Sequence, residues 1–281
     1  MNGSLLSDLE VARLERPADS DVDHVRRLAR ETVRELELVA PVDPALVASF
    51  RGITRIEEVD QPWAGCLTHE GHETVARIRA RDNPRRKRFT TFHEVEHTYL
   101  PGFAVTQYRC DPAPATNRRE KVSLERLADI GASELLFPHA QFRADLAGNR
   151  LDFDLVEDLA DVYEGSLGAT ALRAVTTSPR ESLLICVEPA VKPTEPDADA
   201  VPRILWSAGN GDWPFVPRHK SIPAGTPIHR AIQGELVDEI CDLTGITVPP
   251  IDHVDVSCRL YPYVDHNGVD RTRVLCIATR Y

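Results

Sequence analysis

Nothing in the 281-residue chain approaches the roughly 20 consecutive apolar residues of a membrane-spanning helix; the best runs are as short as LLICV at 183–187. The opening MNGSLLSDLEVARLERPADSD has no apolar core of signal-peptide length and carries acidic residues throughout, which argues against export. Cysteine occurs six times, as Cys66, Cys110, Cys186, Cys241, Cys258 and Cys276, but never as a C-x-x-C pair. A chain of this size folds without staples, so scattered thiols fit a reducing cytoplasm. Basic charge is also short: Lys and Arg number 33 against 44 Asp and Glu, for a net charge of −11. That balance disfavours tight binding to the phosphate backbone of DNA and suits a basic protein partner better. No internal repeat is present.

What is there is ordinary globular composition, 42% hydrophobic and 27% charged. The length predicts a main domain of roughly 150 to 180 residues with a smaller one beside it. Residues 22–39 space Val25, Leu28, Val33 and Leu36 as an amphipathic helix capped by Ser20 or Asp21, and PALVASFRGI reads as a shorter helix ending near Gly52. From Ile56 to Asp82 the period shortens to near two, which predicts a small antiparallel sheet with a turn at Glu70-Gly71. Asn83-Pro84 then opens a helix running to about Leu100, where Pro101-Gly102 stops it. Asn117 followed by Glu120 resembles a capping box for a helix ending before Pro138, and 153–176 has helix-turn-helix proportions. After Pro179, strand-like runs surround one helix near 226–243. The expected fold class is α+β: a helical core with a small antiparallel sheet at 1–150, a helix-turn-helix-like segment at 151–178, and a mixed α/β accessory domain at 179–281.

His93-Glu94-Val95-Glu96-His97 falls on the helix opened at Asn83. Positions i and i+4 share a face about 6 Å apart, so two imidazoles reach one ion. A catalytic zinc takes a third protein ligand and leaves its fourth position open. Glu125 is the best candidate. It shares a helix face with Val122, Ala132 and Leu136, and a carboxylate buried in such an apolar stripe costs several kcal/mol unless an ion or a strong partner offsets it. Asp129, one turn on, is placed to accept the second ring proton of a ligating histidine and fix its tautomer. Glu94 and Glu96 stand at equal angles of about 80° on opposite sides of the ligand face, so geometry does not choose between them. The motif position chooses Glu94 as general base, taking a proton from the attacking water and handing it to the leaving amine. Glu96 is expected to pair with an Arg or Lys. Tyr99, Tyr108 and His139 are undiscriminated candidates for an oxyanion donor, and TVARIRARD is a candidate edge for an extended substrate.

The run RKRFTTFHEVEHTYL, followed by Glu125 in ERLADIGASELLFP, resembles the ImmA/IrrE metallopeptidases, in which an RFT-x-x-HE-x-x-H helix precedes an E-x-x-A-N-x-F-A-x-x-L-L-M-P helix. The resemblance covers roughly residues 25–178. It implies a zincin-like core with one Zn2+ per chain on His93, His97 and Glu125, and Glu94 as the catalytic glutamate. It also implies an endopeptidase that cleaves a partner helix-turn-helix repressor and relieves repression under stress. The C-terminal domain is similar in pattern to the GAF-like sensor that some relatives carry. The chain departs from the family at Asp129 (usually Asn), Gly131 (Phe), Phe137 (Met) and Glu96 (a small residue), and none of these departures removes a ligand.

Two other classes compete with this reading. A DNA-binding regulator would use 153–176 as its helix-turn-helix and keep zinc only for structure. Yet GSLGATALRAV offers base edges only Arg173 and follows Asp152, Asp154, Glu157, Asp158 and Asp161. A silent module that captures a repressor without cutting it has no need of Glu94 as a base.

Overall fold

A computed structural model describes residues 6–103, 108–109, 123–264 and 269–280. The chain divides into two units, Met1–Phe142 with Asp161–Ser166, and Arg143–Ala160 with Leu167–Tyr281.

The first unit opens with three helices. α1 (Asp8–Glu15) and α2 (Asp21–Glu35) each start in a capping box, Ser7 with Glu10 and Ser20 with Asp23. α3 (Pro44–Phe50) is capped by Asp43, carries Pro44 in its first turn, and is released at Gly52, whose φ of 76° suits only glycine without strain. The strands β1 (Arg55–Val59), β2 (Gly65–Glu70), β3 (Glu73–Arg79) and β4 (Tyr108–Arg109) form one sheet in the order β1-β3-β2-β4. β2 and β3 are a hairpin with Gly71 at φ 66° in its turn. The expected antiparallel arrangement holds for β2, β3 and β4 only. Two reversals of direction, at 60–64 and at the hairpin turn, leave β1 running the same way as β3, and the two pair in parallel with Arg55 opposite Val75. β3 is therefore interior, so TVARIRARD offers a substrate no free edge; β1 is the outer strand on that side. On the exposed face, Arg55, Glu57, Arg77 and Glu70 close a ring of ion pairs across three strands. Arg55–Glu57 is 2.8 Å, Glu57–Arg77 3.2 Å and Glu70–Arg55 3.0 Å, and Arg77–Glu70 completes the circuit.

α4 (Pro84–His97) packs on β2 and β3, and α5 (Leu124–Leu136) packs on α4 and α2. α5 begins at Ser123, which accepts a hydrogen bond from the Arg126 N–H; Asn117 and Glu120, the expected cap, lie outside the described residues. Arg30 of α2 donates two hydrogen bonds, 2.9 and 3.2 Å, to the buried Glu134 of α5. Leu9, Val25, Leu100, Leu127 and Ala128 seal the same junction with apolar contact. α6 (His139–Leu146) follows, and residues 161–166 return to this unit by inserting the fully buried Tyr163 against Phe137 and Phe142, with ring centroids 5.7 and 4.9 Å away.

The second unit is a five-stranded antiparallel sheet in the order β6-β5-β9-β8-β7. Its strands are β5 (Ser182–Ala190), β6 (Val201–Gly209), β7 (Val237–Cys241), β8 (Val254–Val264) and β9 (Asp270–Thr279). One face, with Ile185, Val256, Cys258 and Cys276, packs with Ile228 and Ala231 of the short α9 (Pro227–Ile232). The other is covered by most of α7 (Phe153–Val162) and by α8 (Leu167–Thr177): the Phe153 N–H donates to Ser257 Oγ at 3.1 Å, and Arg259 holds Asp154 and Asp238. Coverage of both faces explains why SLLICV reads as a continuous apolar run rather than an alternating one. The helix expected across 226–243 is only α9. Gly234, at φ 89°, ends it, and VDEIC then pairs with β8 as β7. Among the described residues no helix is long and apolar enough to cross a membrane.

Candidate metal centre

The site is built on α4, whose ends are fixed by local chemistry. Asn83 Oδ1 accepts from the Arg86 N–H at 2.9 Å, and Pro84 occupies the first turn, where its missing N–H is no loss. At the other end the Arg51 guanidinium donates to Thr98 Oγ1 (2.9 Å) and to the Thr98 carbonyl (3.2 Å), and lies over the Tyr99 ring at 3.7 Å. A cation there also meets the negative end of the helix dipole. Every residue from Thr90 to His97 is buried, so this half of α4 has a neighbour on each side.

His93, His97 and Glu125 come together. One ligand atom from each lies within 4.8 Å of the others. The two imidazole Nε2 atoms are 3.1 Å apart, His93 Nε2 is 3.2 Å from Glu125 Oε2, and His97 Nε2 is 3.6 Å from Glu125 Oε1. Two ligands bonded at 2.0–2.1 Å to a tetrahedral ion stand about 3.3 Å from each other. The three separations bracket that value, so this donor set fits zinc. Asp129 Oδ1 meets the other nitrogen of His93, Nδ1, at 2.9 Å, which leaves Nε2 to face the other two groups. Burial alone would lower the His93 pKa, but hydrogen bonds to Asp129 and Glu125 outweigh it and push it up to about 9. Burial, then the neighbouring His93 charge, hold His97 down to about 4. Coordination needs both rings neutral, so taking up an ion displaces protons from this cluster.

Glu125 does not lie in the buried apolar stripe expected for it. Its side chain is 37% exposed and that of Asp129 57%, because the buried face of α5 runs instead through Leu127, Ala128, Gly131, Ala132, Leu135 and Leu136. Glu125 sits in the first turn of α5, where a carboxylate is favoured by the helix dipole.

The two glutamates of the motif face opposite neighbours. Glu94 points to the sheet: a Cβ built on Gly65, the first residue of β2, would stand 2.6 Å from Thr90 Cγ2, 3.1 Å from Glu94 Cδ and closer still to Glu94 Oε1. Glu96 points to α5, where a Cβ on Gly131 would stand 2.7 Å from Glu96 Cγ and closer still to its carboxylate. The expected Arg or Lys partner of Glu96 is not there. The residue is fully buried, neither oxygen has a hydrogen-bond partner among the described residues, and Arg51 acts on it only at a distance. Burial therefore drives its carboxyl well above the usual range, despite Arg51. Of the candidate oxyanion donors, Tyr99 is 2% exposed and its hydroxyl lies 2.6 Å from Thr32 Oγ1, so it is occupied inside the core. His139 opens α6, and the side chain of Tyr108 lies outside the described part of β4. Gly65 and Arg51 are not legible in the sequence, because the residues they meet, Thr90 and Thr98, lie 25 and 47 positions further along the chain.

Residues 65–175 match the peptidase-family model described as the IrrE N-terminal-like domain. No curated protein sequence matches the chain significantly. Among solved structures, a "Mycobacterium tuberculosis transcriptional regulator" is similar with a TM-score of 0.55 and 11% identity, over 97% of this chain and 80% of that one. At that identity the likeness concerns the fold, and it agrees with the α+β class. The matched stretch begins at Gly65 and takes in α4, α5 and each of His93, Glu94, His97, Glu125 and Asp129. Over residues 65–175 the chain is thus similar to the IrrE N-terminal-like peptidase domains, and that match supports a place in their family.

Proposed function

We propose that the chain is a zinc-dependent endopeptidase with a zincin-like core, in which His93, His97 and Glu125 hold one Zn2+ and Glu94 is the general base. The observation that carries this reading is the convergence of those three ligand atoms within 4.8 Å, with Asp129 fixing the outer nitrogen of His93. Zinc bound there supplies Lewis acidity, lowering the pKa of water and polarising the scissile carbonyl. The chain's own work is done by Glu94, which accepts a proton from the attacking water on its carboxylate and delivers it to the departing amine. Asp129 keeps His93 in the tautomer that presents Nε2.

The substrate is a protein, and a helix-turn-helix transcriptional repressor cut under stress is the one that the family resemblance favours. Cysteines that are all unbridged among the described residues support action in the cytoplasm. Direct reading of DNA by the 153–176 segment is disfavoured, since Arg173, its one basic side chain suited to base edges, is only 9% exposed on a helix packed against the sheet. The test is zinc content and cleavage of candidate repressors by the wild type, Glu94→Gln and a chelator-treated control. Wild type that binds zinc and cuts, with Glu94→Gln binding zinc but not cutting, is expected. Wild type that takes up no zinc under replete conditions sinks the reading.

A further inference from the structure

Gly65 is a glycine whose backbone does not demand one. It has no left-handed φ, and it sits in regular antiparallel pairing with Ile78 of β3. Conformation would admit any residue there; space does not. The volume a side chain would take is filled by the Glu94 carboxylate and the Thr90 methyl, one turn apart on α4. Glu94 is fully buried, so its carboxylate has few places to go. Retreat of the whole of α4 toward α5 is limited by Glu96 and Gly131, which already meet there in close contact.

From this geometry we propose that Gly65 is a positioning residue for peptide hydrolysis: its absent side chain is the seat of the Glu94 carboxylate. The inference rests on the reading of Glu94 as general base. A Cβ at position 65 drives Glu94 off that seat and presses on Thr90, and none of the three atoms nearest to it belongs to His93, His97 or Glu125. A displacement of about 1 Å costs on the order of 100-fold in rate, within the 100- to 10,000-fold that a general base contributes. Because the ligands stay in place, zinc affinity and substrate binding are spared.

The experiment is a double-mutant cycle of Gly65→Ala and Glu94→Ala, with zinc affinity from chelator competition, melting temperature, and kcat and KM on an internally quenched peptide mixture. The expected result is that Gly65→Ala holds zinc within twofold of wild type and keeps KM, while kcat falls about 100-fold. In the Glu94→Ala background the same change lowers the residual rate no further and costs less melting temperature than in the wild type, the contact with Thr90 Cγ2 alone remaining. If Gly65→Ala fails to fold but the double variant folds, the steric contact is supported directly. A Gly65→Ala chain as fast as wild type overturns the inference and leaves the peptidase reading standing. So does a loss of zinc affinity, or equal damage in both backgrounds, since either makes the role of Gly65 purely structural. Wild type that neither binds zinc nor cuts overturns the peptidase reading, and the inference falls with it.

Discussion

Replacing Gly131 by alanine ordinarily favours a helix interior by about 0.8–1 kcal/mol. Here the new Cβ would stand 2.7 Å from Glu96 Cγ and nearer to its carboxylate, whereas carbon contacts settle at about 3.5–4.0 Å. The glutamate, or one helix, must move by roughly 1 Å. Forced overpacking of this kind costs about 1–3 kcal/mol, and a fully buried Glu96 with a packed α4 behind it places the cost at the upper end. After the helix-propensity gain, the expected net loss for Gly131→Ala is about 2 kcal/mol. In a Glu96→Ala background the clash is gone and the added methyl enters vacated space. There Gly131→Ala is expected to be neutral or to stabilise by up to about 1 kcal/mol, a coupling near 3 kcal/mol between the two sites. Urea titrations of the four proteins at pH 7, followed by far-UV circular dichroism with unchanged m values, measure the cycle. Wild-type stability in Gly131→Ala, or the same loss in both backgrounds, would refute the reasoning.

Four further outcomes are expected. Zinc at 100 times its Kd stabilises the wild type by about 2.7 kcal/mol, seen as a raised melting temperature that EDTA removes and that His97→Ala lacks; an equal rise in His97→Ala would place the ion elsewhere. Asp129→Ala, which frees His93 Nδ1, weakens zinc binding about 10- to 100-fold in a competition titration, and unchanged affinity would deny Asp129 its orienting role. Arg30→Ala removes two hydrogen bonds from the buried Glu134 but leaves Arg26 at 3.8 Å. The expected loss is therefore near the lower end of about 1.5–3 kcal/mol by chemical denaturation. Finally, no specific duplex should be bound at nanomolar concentration in 0.15 M salt by electrophoretic mobility shift; a specific complex would revive the DNA-binding class.

How much was legible in the sequence follows from how local each feature is. α2 and α4 could be read because Ser20, Asn83 and Pro84 act within one turn of the backbone they cap. The meeting of His93, His97 and Glu125 is legible in the motif and in the family pattern, whereas the buried stripe expected around Glu125 is not, its side chain being 37% exposed. The parallel pairing of β1 was not legible, since alternation fixes which way side chains point but not which neighbour a strand chooses. β7 is not legible either, because VDEIC is too short for its period to stand out after α9. The environment of Glu96 is hidden from the sequence for a related reason. A charged residue on a helix is most often solvated, and only the tertiary fold brings Gly131 against it.

The ring of Arg55, Glu57, Arg77 and Glu70 bears on self-association. β1 has one backbone edge open to any extended chain that drifts alongside, as in strand-mediated aggregation. An incoming strand would have to lie beside Arg55 and Glu57, already tied across the sheet, and on the other face beside Glu58, held by Lys87 at 2.6 Å. On the face of the ring, strands rich in apolar side chains find no match, whereas the other face offers them the partly exposed Ile56; the deterrent is ionic, so it weakens as salt shortens the Debye length. Concentrated stocks of this protein are better kept at low ionic strength than high.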